Sequence, residues 1–425
     1  MAKPLRIGMV GFGNIGTGVV NALVKNGDVI NSRLNRPLEL ARIADVNITT
    51  PRNVKYDPKI LTTDTKSVLA DPEIDVIVEF IGGLEPARTF VETALNKGKH
   101  VVTANKAMLA EFGADLQEIA RKKKKALLFE ASVGGGIPII RALQSGIVAN
   151  RFRSVMGILN GTANYILTEM TRAGKTFDTA LKEAQQQGYA EPDPTYDIEG
   201  YDTAHKLAIL ASLCFGQDFR FKDVFCQGIT RIAPADIEFA RKNDFVIKLL
   251  GIAKQKVEGG AVELRVHPTL VSKSLLIANV HEVFNGIMVE GDLVGKTLFY
   301  GRGAGPDPTA SAVLSDLMAL ASADSDEGVA RENRLGFVKG VKQIVPMEEL
   351  VVDAYVRMKL HPNAENADWQ GLLESHGLLG SSVKTGDRLQ LIFKAVKEKQ
   401  IQSLLAGAAE NGLCLEEPLV VRIEK

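Results

Sequence analysis

Near its start the chain reads LRIGMVGFGNIG, an apolar strand-like run that ends in Gly11-Phe12-Gly13-Asn14-Ile15-Gly16 and leads into a helical pattern. Few backbones accommodate three glycines at that spacing between a strand and a helix. The first permits a tight turn, the second lets the backbone approach a pyrophosphate, and the third lets helix pack closely on strand. The exposed N–H groups at the helix start then attract negative charge. Such a motif is weak alone, because a glycine turn can exist without a ligand. Placed between the first strand and first helix of a strand–helix series, it reads as a dinucleotide site.

The series is there. LRIGMVGFG, LELARIAD, DVIVEFIGG, KHVVTANKA and ALLFEASVGGG alternate with helical stretches up to about residue 145, which argues for parallel strands joined by crossover helices. The expected fold class is α/β, with a Rossmann-type doubly wound parallel sheet over residues 1–149. Residues 150–323 change texture to an α+β mixed-sheet catalytic or dimerisation domain, whose last helix, 307–323, returns to the nucleotide domain. Polar residues open a linker at 324–345, and 346–425 follow the order strand, helix, strand, strand, helix, strand. That βαββαβ order is the split-βαβ signature of a ferredoxin-like module.

At 425 residues the chain is too long for one ordinary domain. Its 51 basic residues balance 51 acidic ones, which removes the electrostatic argument for nucleic acid or an anionic membrane. The basic run Arg121 to Lys125 falls at a helix end, where cations complement the dipole. Cys214, Cys226 and Cys414 show neither a disulfide framework nor zinc-ligand spacing, which fits a cytoplasmic protein. No apolar run approaches the ~20 residues of a membrane span, and the N-terminus has no signal-peptide pattern.

Further candidates lie at the strand ends, where open parallel sheets place their ligands. Asp45 ends the second strand and suits ribose hydroxyls, whereas nearby Arg52 suits a 2′-phosphate, so the choice between NAD and NADP stays open. Thr103-Ala104-Asn105-Lys106 ends another strand and puts a cation where a helix begins, a poor place for one without a task. Glu130 opens a glycine-rich turn running to Pro138. Finally, EPDPTYDIEGYDTAHKLAIL crowds Glu191, Asp193, Asp197, Glu199 and Asp202 just ahead of an apolar helix carrying Lys206. Asp202 and Lys206 share a helical face, as a surface ion pair or a working pair. The apolar neighbours favour the second reading.

Taken in order, GFGNIGTGV, EFIGG, TANKAML, EASVGGGIPI, ILNGTANYIL, GYAEPDPTYDIEGYDTAHKLAIL and GRGAGPDPTASAVLSDL closely resemble the homoserine dehydrogenases over roughly residues 3 to 325. Members of that family interconvert L-homoserine and L-aspartate 4-semialdehyde with NAD or NADP, on the route to threonine, methionine and isoleucine. The resemblance implies Lys206 as the acid/base, Lys106 as its cationic neighbour, and Asp202 as a holder of the ammonium or substrate. It implies Glu191 and Asp197 around the amino-acid end of the substrate, and Gly188 and Gly305 near the cofactor. Asp193 and Glu199 receive no role beyond shaping the turn. Glu130 with the carbonyls of Val133, Gly135 and Ile137 matches the family's monovalent-cation site, sodium being expected.

The C-terminal module resembles a degenerate ACT domain, the small-molecule sensor fused to many family members, with threonine as the usual effector. Here His361-Pro362-Asn363-Ala364 replaces the usual Pro-Gly turn, which leaves two readings: a threonine site, or a module that only dimerises. The resemblance further implies a homodimer or homotetramer. Two rival functions are another amino-acid dehydrogenase of similar architecture, such as one acting on aspartate at C–N, and a non-catalytic metabolite sensor. The six scattered histidines form no nucleophile motif and disfavour a histidine-based dehydrogenase.

Overall fold

The computed structural model describes residues 3–323, 336–364, 368–378 and 380–425. Two compact units are each assembled from separate stretches of chain. The first comprises residues 1–155, 205–223 and 285–342, and the second 156–204, 224–284 and 343–425.

In the first unit, β1 (Leu5–Val10), β2 (Leu38–Ala44), β3 (Leu61–Thr62), β4 (Val76–Glu79), β5 (His100–Thr103) and β6 (Leu127–Leu128) form one sheet. Its order is β3-β2-β1-β4-β5-β6 and every pairing is parallel. Strand order reverses at β1, which creates the crevice where such sheets bind ligands. β4 and β5 are buried along their whole length, as central parallel strands covered on both faces must be.

The covering on one face comes from two helices far apart in sequence. Val19 and Val20 of helix Asn14–Ser32 and Val313, Leu314 and Leu317 of helix Pro306–Ser322 share a core with Leu5, Ile7 and Met9 of β1. Pro306 at the first helical position and Asp307 in the first turn suit the start of that late helix. Its apolar face must be buried, and β1 offers the surface, so a segment sequence-distant from the fingerprint becomes part of the same unit. Residues 324–335 of the expected linker lie outside the described residues. After them, Phe337 is buried against Phe129, and its N–H donates to Gln117 Oε1 at 2.9 Å.

Beyond β7 (Phe152–Ile158), the second unit opens with helices Gly161–Ala173 and Phe177–Gln186. Asn160 caps the first of these by accepting from Ala163 N at 2.8 Å. β8 (Phe225–Cys226) pairs with β10 (Val262–Ser272), which runs antiparallel to β9 (Phe245–Gln255) along its full length. β11 (Phe284–Gly291) and β12 (Gly295–Arg302) then return the chain to the first unit.

The C-terminal stretch has the βαββαβ order read from its sequence: β13 (Val351–Lys359), helix Trp369–Ser375, β14 (Gly380–Thr385), β15 (Arg388–Lys397), helix Glu398–Glu410 and β16 (Leu419–Glu424). Its strands lie in the ferredoxin-like order β16-β13-β15-β14. It is no separate lobe, because β16 pairs in parallel with β10 and joins the β9–β10 sheet. Buried ion pairs cross the junction: Arg357 Nε donates to Asp236 at 2.8 Å, and Arg265 Nη2 to Glu424 at 2.9 Å.

Candidate active site

Each fingerprint glycine occupies the geometry its chemistry requires. Gly11 has φ +99°, and a Cβ there would lie 2.8 Å from the carbonyl carbon of Phe80. A Cβ at Gly16 would come within 2.6 Å of the Gly11 oxygen, so glycine alone lets the helix start this close to β1. Gly13, by contrast, faces open space. Together they leave the N-terminus of helix Asn14–Ser32 uncovered for an anionic group.

Asp45 and Arg52, read from sequence as competitors for the adenosine ribose, are found as partners. Asp45 Oδ2 accepts from the N–H of Phe12 at 2.5 Å, and its Oδ1 lies 3.6 Å from Arg52 Nη2. Arg52 donates from Nε to the Phe12 carbonyl at 2.9 Å and from Nη1 to Thr50 O at 2.9 Å, while its guanidinium covers the Phe12 ring. With only 8% of its side chain exposed, Arg52 is already committed to the loop.

Next to the fingerprint the first unit holds a cavity of about 310 Å³. Its wall brings together residues from five stretches of chain: Asn14 and Ile15, Ala104 and Lys106, Ala131, Ser132, Gly134 and Gly135, Lys206, and Gly303 to Pro306 with Thr309. Lys106 is the first residue of helix Lys106–Lys122, whose cap Asn105 accepts from Met108 N at 3.1 Å. Lys206 is only 9% exposed, in helix Tyr201–Phe215. Asp202, in the first turn of that helix, is 4% exposed. Burial of both excludes a solvated surface pair. Gly305 reaches the wall with φ +118°. Thr103 stands behind it, fully buried, with its hydroxyl donating to Glu79 at 2.6 Å.

Glu130 is 3% exposed, and its two oxygens accept from the N–H groups of Ile140 and Arg141 at 2.9 and 2.7 Å. Burial pushes its carboxyl above the ordinary range, and those two N–H groups offset part of the effect. The Glu130 N–H donates to Asp316 Oδ2 at 2.9 Å. Asp316 is itself pushed up to about 7 by burial and by the neighbouring Glu130 charge. Gly134 and Gly135, both at positive φ, turn the chain between Glu130 and Ile137. Among the described residues no three His, Cys, Asp or Glu side chains converge as a metal site. A cation here would therefore rest on one carboxylate and on carbonyl oxygens, a set that suits a hard, weakly bound ion. The buried negative charge of Glu130 fits that role.

In the second unit, Asn160 organises the carboxylate cluster. Its Nδ2 donates to Asp197 Oδ1 at 2.6 Å and to Asp202 Oδ2 at 2.9 Å, which holds two acids side by side. Sequence reasoning missed this residue. Its only local signal is the Asn-Gly-Thr start of a helix, which reads as a cap and nothing more. Glu191 is exposed, with its carbonyl accepting from Gln185 at 3.2 Å. Asp193 accepts from Thr195 N and Oγ1 and shapes the turn, while Glu199 accepts from Thr230 at 3.3 Å. Gly188 follows helix Phe177–Gln186 at φ +74°. Of the histidines, His205 stacks on Phe221, and His267 is fully buried and held neutral by burial and the neighbouring Arg265.

A glycine fingerprint at the switch point of a parallel sheet, beside a cavity walled by two lysines, defines a dinucleotide-dependent dehydrogenase. The chain matches the family described as homoserine dehydrogenase over residues 138–318, and that family's NAD-binding domain over residues 11–130. It is 44% identical to a homoserine dehydrogenase of Synechocystis over 99% of both chains, and 42% identical to one of Helicobacter pylori over 100% of both. The chain belongs to the homoserine dehydrogenases. A crystal structure of one from Thiobacillus denitrificans superposes with a TM-score of 0.88 at 38% identity, covering 99% of this chain and 98% of that one. One from Staphylococcus aureus gives 0.78 at 31%, with each chain fully covered.

Proposed function

We propose that the chain interconverts L-homoserine and L-aspartate 4-semialdehyde, with Lys206 as the acid/base. One observation carries the reading: Lys206, buried, lines the same cavity as Asn14, Ile15 and Gly305 of the nucleotide-binding elements. Bound NAD(P) supplies or accepts the hydride. As the aldehyde is reduced, the Lys206 ammonium donates a proton to the oxygen that becomes the hydroxyl, and in reverse the amine removes it. A lysine exchanges protons near neutral pH only with burial or a cationic neighbour. Lys206 is buried and shares its cavity with Lys106, which orients the reacting oxygen.

Homoserine carries an α-ammonium, and a carboxylate beside it supplies a charge-assisted hydrogen bond. Asp197 and Glu191 take that part, with Asp202 held next to Asp197 by Asn160. At the adenosine end, Asp45 suits the ribose hydroxyls of NAD and Arg52 a 2′-phosphate of NADP, and since both are engaged within the loop, either cofactor is bound by the residue that exchanges its loop contacts. Glu130 and the carbonyls of Val133, Gly135 and Ile137 hold a monovalent cation, sodium first, which orders the turn lining the cavity. The C-terminal module serves as an ACT-like sensor, with threonine the effector to try first. The active species is a homodimer or larger homo-oligomer in the cytoplasm, where Cys214, Cys226 and Cys414 stay reduced.

Initial rates with homoserine and NAD or NADP, with and without sodium and threonine, test the reaction directly. Lys206→Ala is expected to lower turnover by roughly 10² to 10⁴ with cofactor binding intact. Turnover within about twofold of wild type would remove Lys206 from that role.

A further inference from the structure

Strands β1, β4 and β5 end in register at Val10, Glu79 and Thr103. Glu79 is fully buried at the centre of that edge. Its Oε1 accepts from Ile81 N at 2.7 Å and from Gly82 N at 3.2 Å, and its Oε2 accepts from the Thr103 hydroxyl at 2.6 Å. Thr103 Oγ1 in turn accepts from Asn105 N at 3.0 Å, and Asn105 Nδ2 donates to Gly83 O at 2.8 Å. The result is a closed ring of hydrogen bonds joining the loop after β4 to the loop after β5.

Both ends of this ring bear on the site. The loop after β4 lies against the fingerprint, since a Cβ at Gly11 would meet Phe80 at 2.8 Å. The loop after β5 delivers Ala104 and Lys106 to the cavity wall. A buried carboxylate is costly, and it is tolerated where its hydrogen bonds are well made. Three donors converge on this one: Ile81 and Gly82 come from the loop that follows β4, and Thr103 is brought by the sheet.

We propose that Glu79 is a positioning residue for Lys106, fixing the loop that carries this lysine relative to the glycine fingerprint. The inference rests on the role given to Lys106 above. Glu79 is not among the residues that line the cavity, so its effect on the reaction is assigned to position.

Glu79→Gln is the selective test. Its amide oxygen can still accept from Ile81 and Gly82, but its NH₂ can only donate towards Thr103 Oγ1, so the short charge-assisted bond from the Thr103 hydroxyl is lost and replaced by a weaker neutral contact of reversed direction. Misplacing a catalytic group by about 1 Å costs up to about 10²-fold. Glu79→Gln is therefore expected to lower kcat about 10-fold with homoserine KM changed less than about twofold. In a Lys106→Ala background the same change is expected to add less than about twofold. Thr103→Val cuts the same arm from the other side and carries the test if Glu79→Gln does not fold, as judged by thermal unfolding and cofactor fluorescence. An unchanged kcat in both variants, or a loss that multiplies fully with that of Lys106→Ala, overturns the inference. If Lys106→Ala itself leaves turnover intact, the role of Lys106 falls first, and this inference falls with it.

Discussion

Replacing Arg357 by methionine tests how firmly the C-terminal module is built into the second unit. Asp236 is completely buried, with Oδ1 accepting from Arg357 Nε at 2.8 Å and Tyr355 Oη at 2.9 Å, and Oδ2 from Ala233 N at 2.8 Å. Methionine keeps the apolar stem but leaves Asp236 with two neutral donors and no cation. Breaking a buried pair in this way costs about 3–5 kcal/mol.

Trp369, the sole tryptophan, lies in the C-terminal module, so its fluorescence reports urea unfolding of this unit. A loss below about 1 kcal/mol at pH 7 would refute the reasoning. Adding Asp236→Asn to Arg357→Met should recover most of the stability. The same geometry governs the search for an effector. A chain cut near residue 325 would strip Asp236 and the buried Arg265 of their partners and bare the edge of β10. Threonine sensitivity should therefore be measured on the full chain.

Other expectations concern single groups. Asn160→Ser keeps a helix cap but loses the amide that holds Asp197 and Asp202, so homoserine KM should rise about 10-fold, about 1.4 kcal/mol, with stability changed by less than about 0.5 kcal/mol; an unchanged KM in steady-state kinetics would count against the cluster. Asp45→Ser removes the negative charge that disfavours a 2′-phosphate and leaves the Arg52 charge without its carboxylate neighbour, so the ratio of kcat/KM with NADP to that with NAD should rise at least about 10-fold; a fall would reverse the assignment. Lys248 is buried, donates to Asn164 Oδ1 at 3.1 Å and to the Val280 carbonyl, and is pushed down to about 7 by burial and then by the Arg172 charge. Between that value and the unfolded ~10.4 the unfolded chain binds more protons, so stability should rise with pH by up to ~1.4 kcal/mol per unit. Lys248→Met should flatten that rise between pH 7 and pH 9 in urea titrations, and parallel profiles would contradict it.

What the sequence revealed and what it hid divide along chain distance. The fingerprint was legible because its determinants are local: Gly11, Gly13 and Gly16 act on one turn and one helix start, and their spacing alone states the need. The βαββαβ order of the C-terminal module was legible for the same reason, since periodicity and turn residues are local signals. Helix Pro306–Ser322 could be recognised as a helix, but only its packing on β1 places Gly303 to Pro306 and Thr309 on the cavity wall. Asp45 and Arg52, seven positions apart, invited a choice between two cofactors, whereas both grip Phe12 and the choice turns on which is free to move. Glu79 reads locally as a strand ending, an unpromising signal with an apolar neighbour on each side. Its meaning depends on Thr103 arriving in register on the next strand. Residues that touch ligand must present a recognisable chemistry and so leave a motif, while residues that hold them in place need only a partner. That partner is set by topology, and a positioning group such as Glu79 or Asn160 therefore becomes visible only once the strands and helices have been assembled.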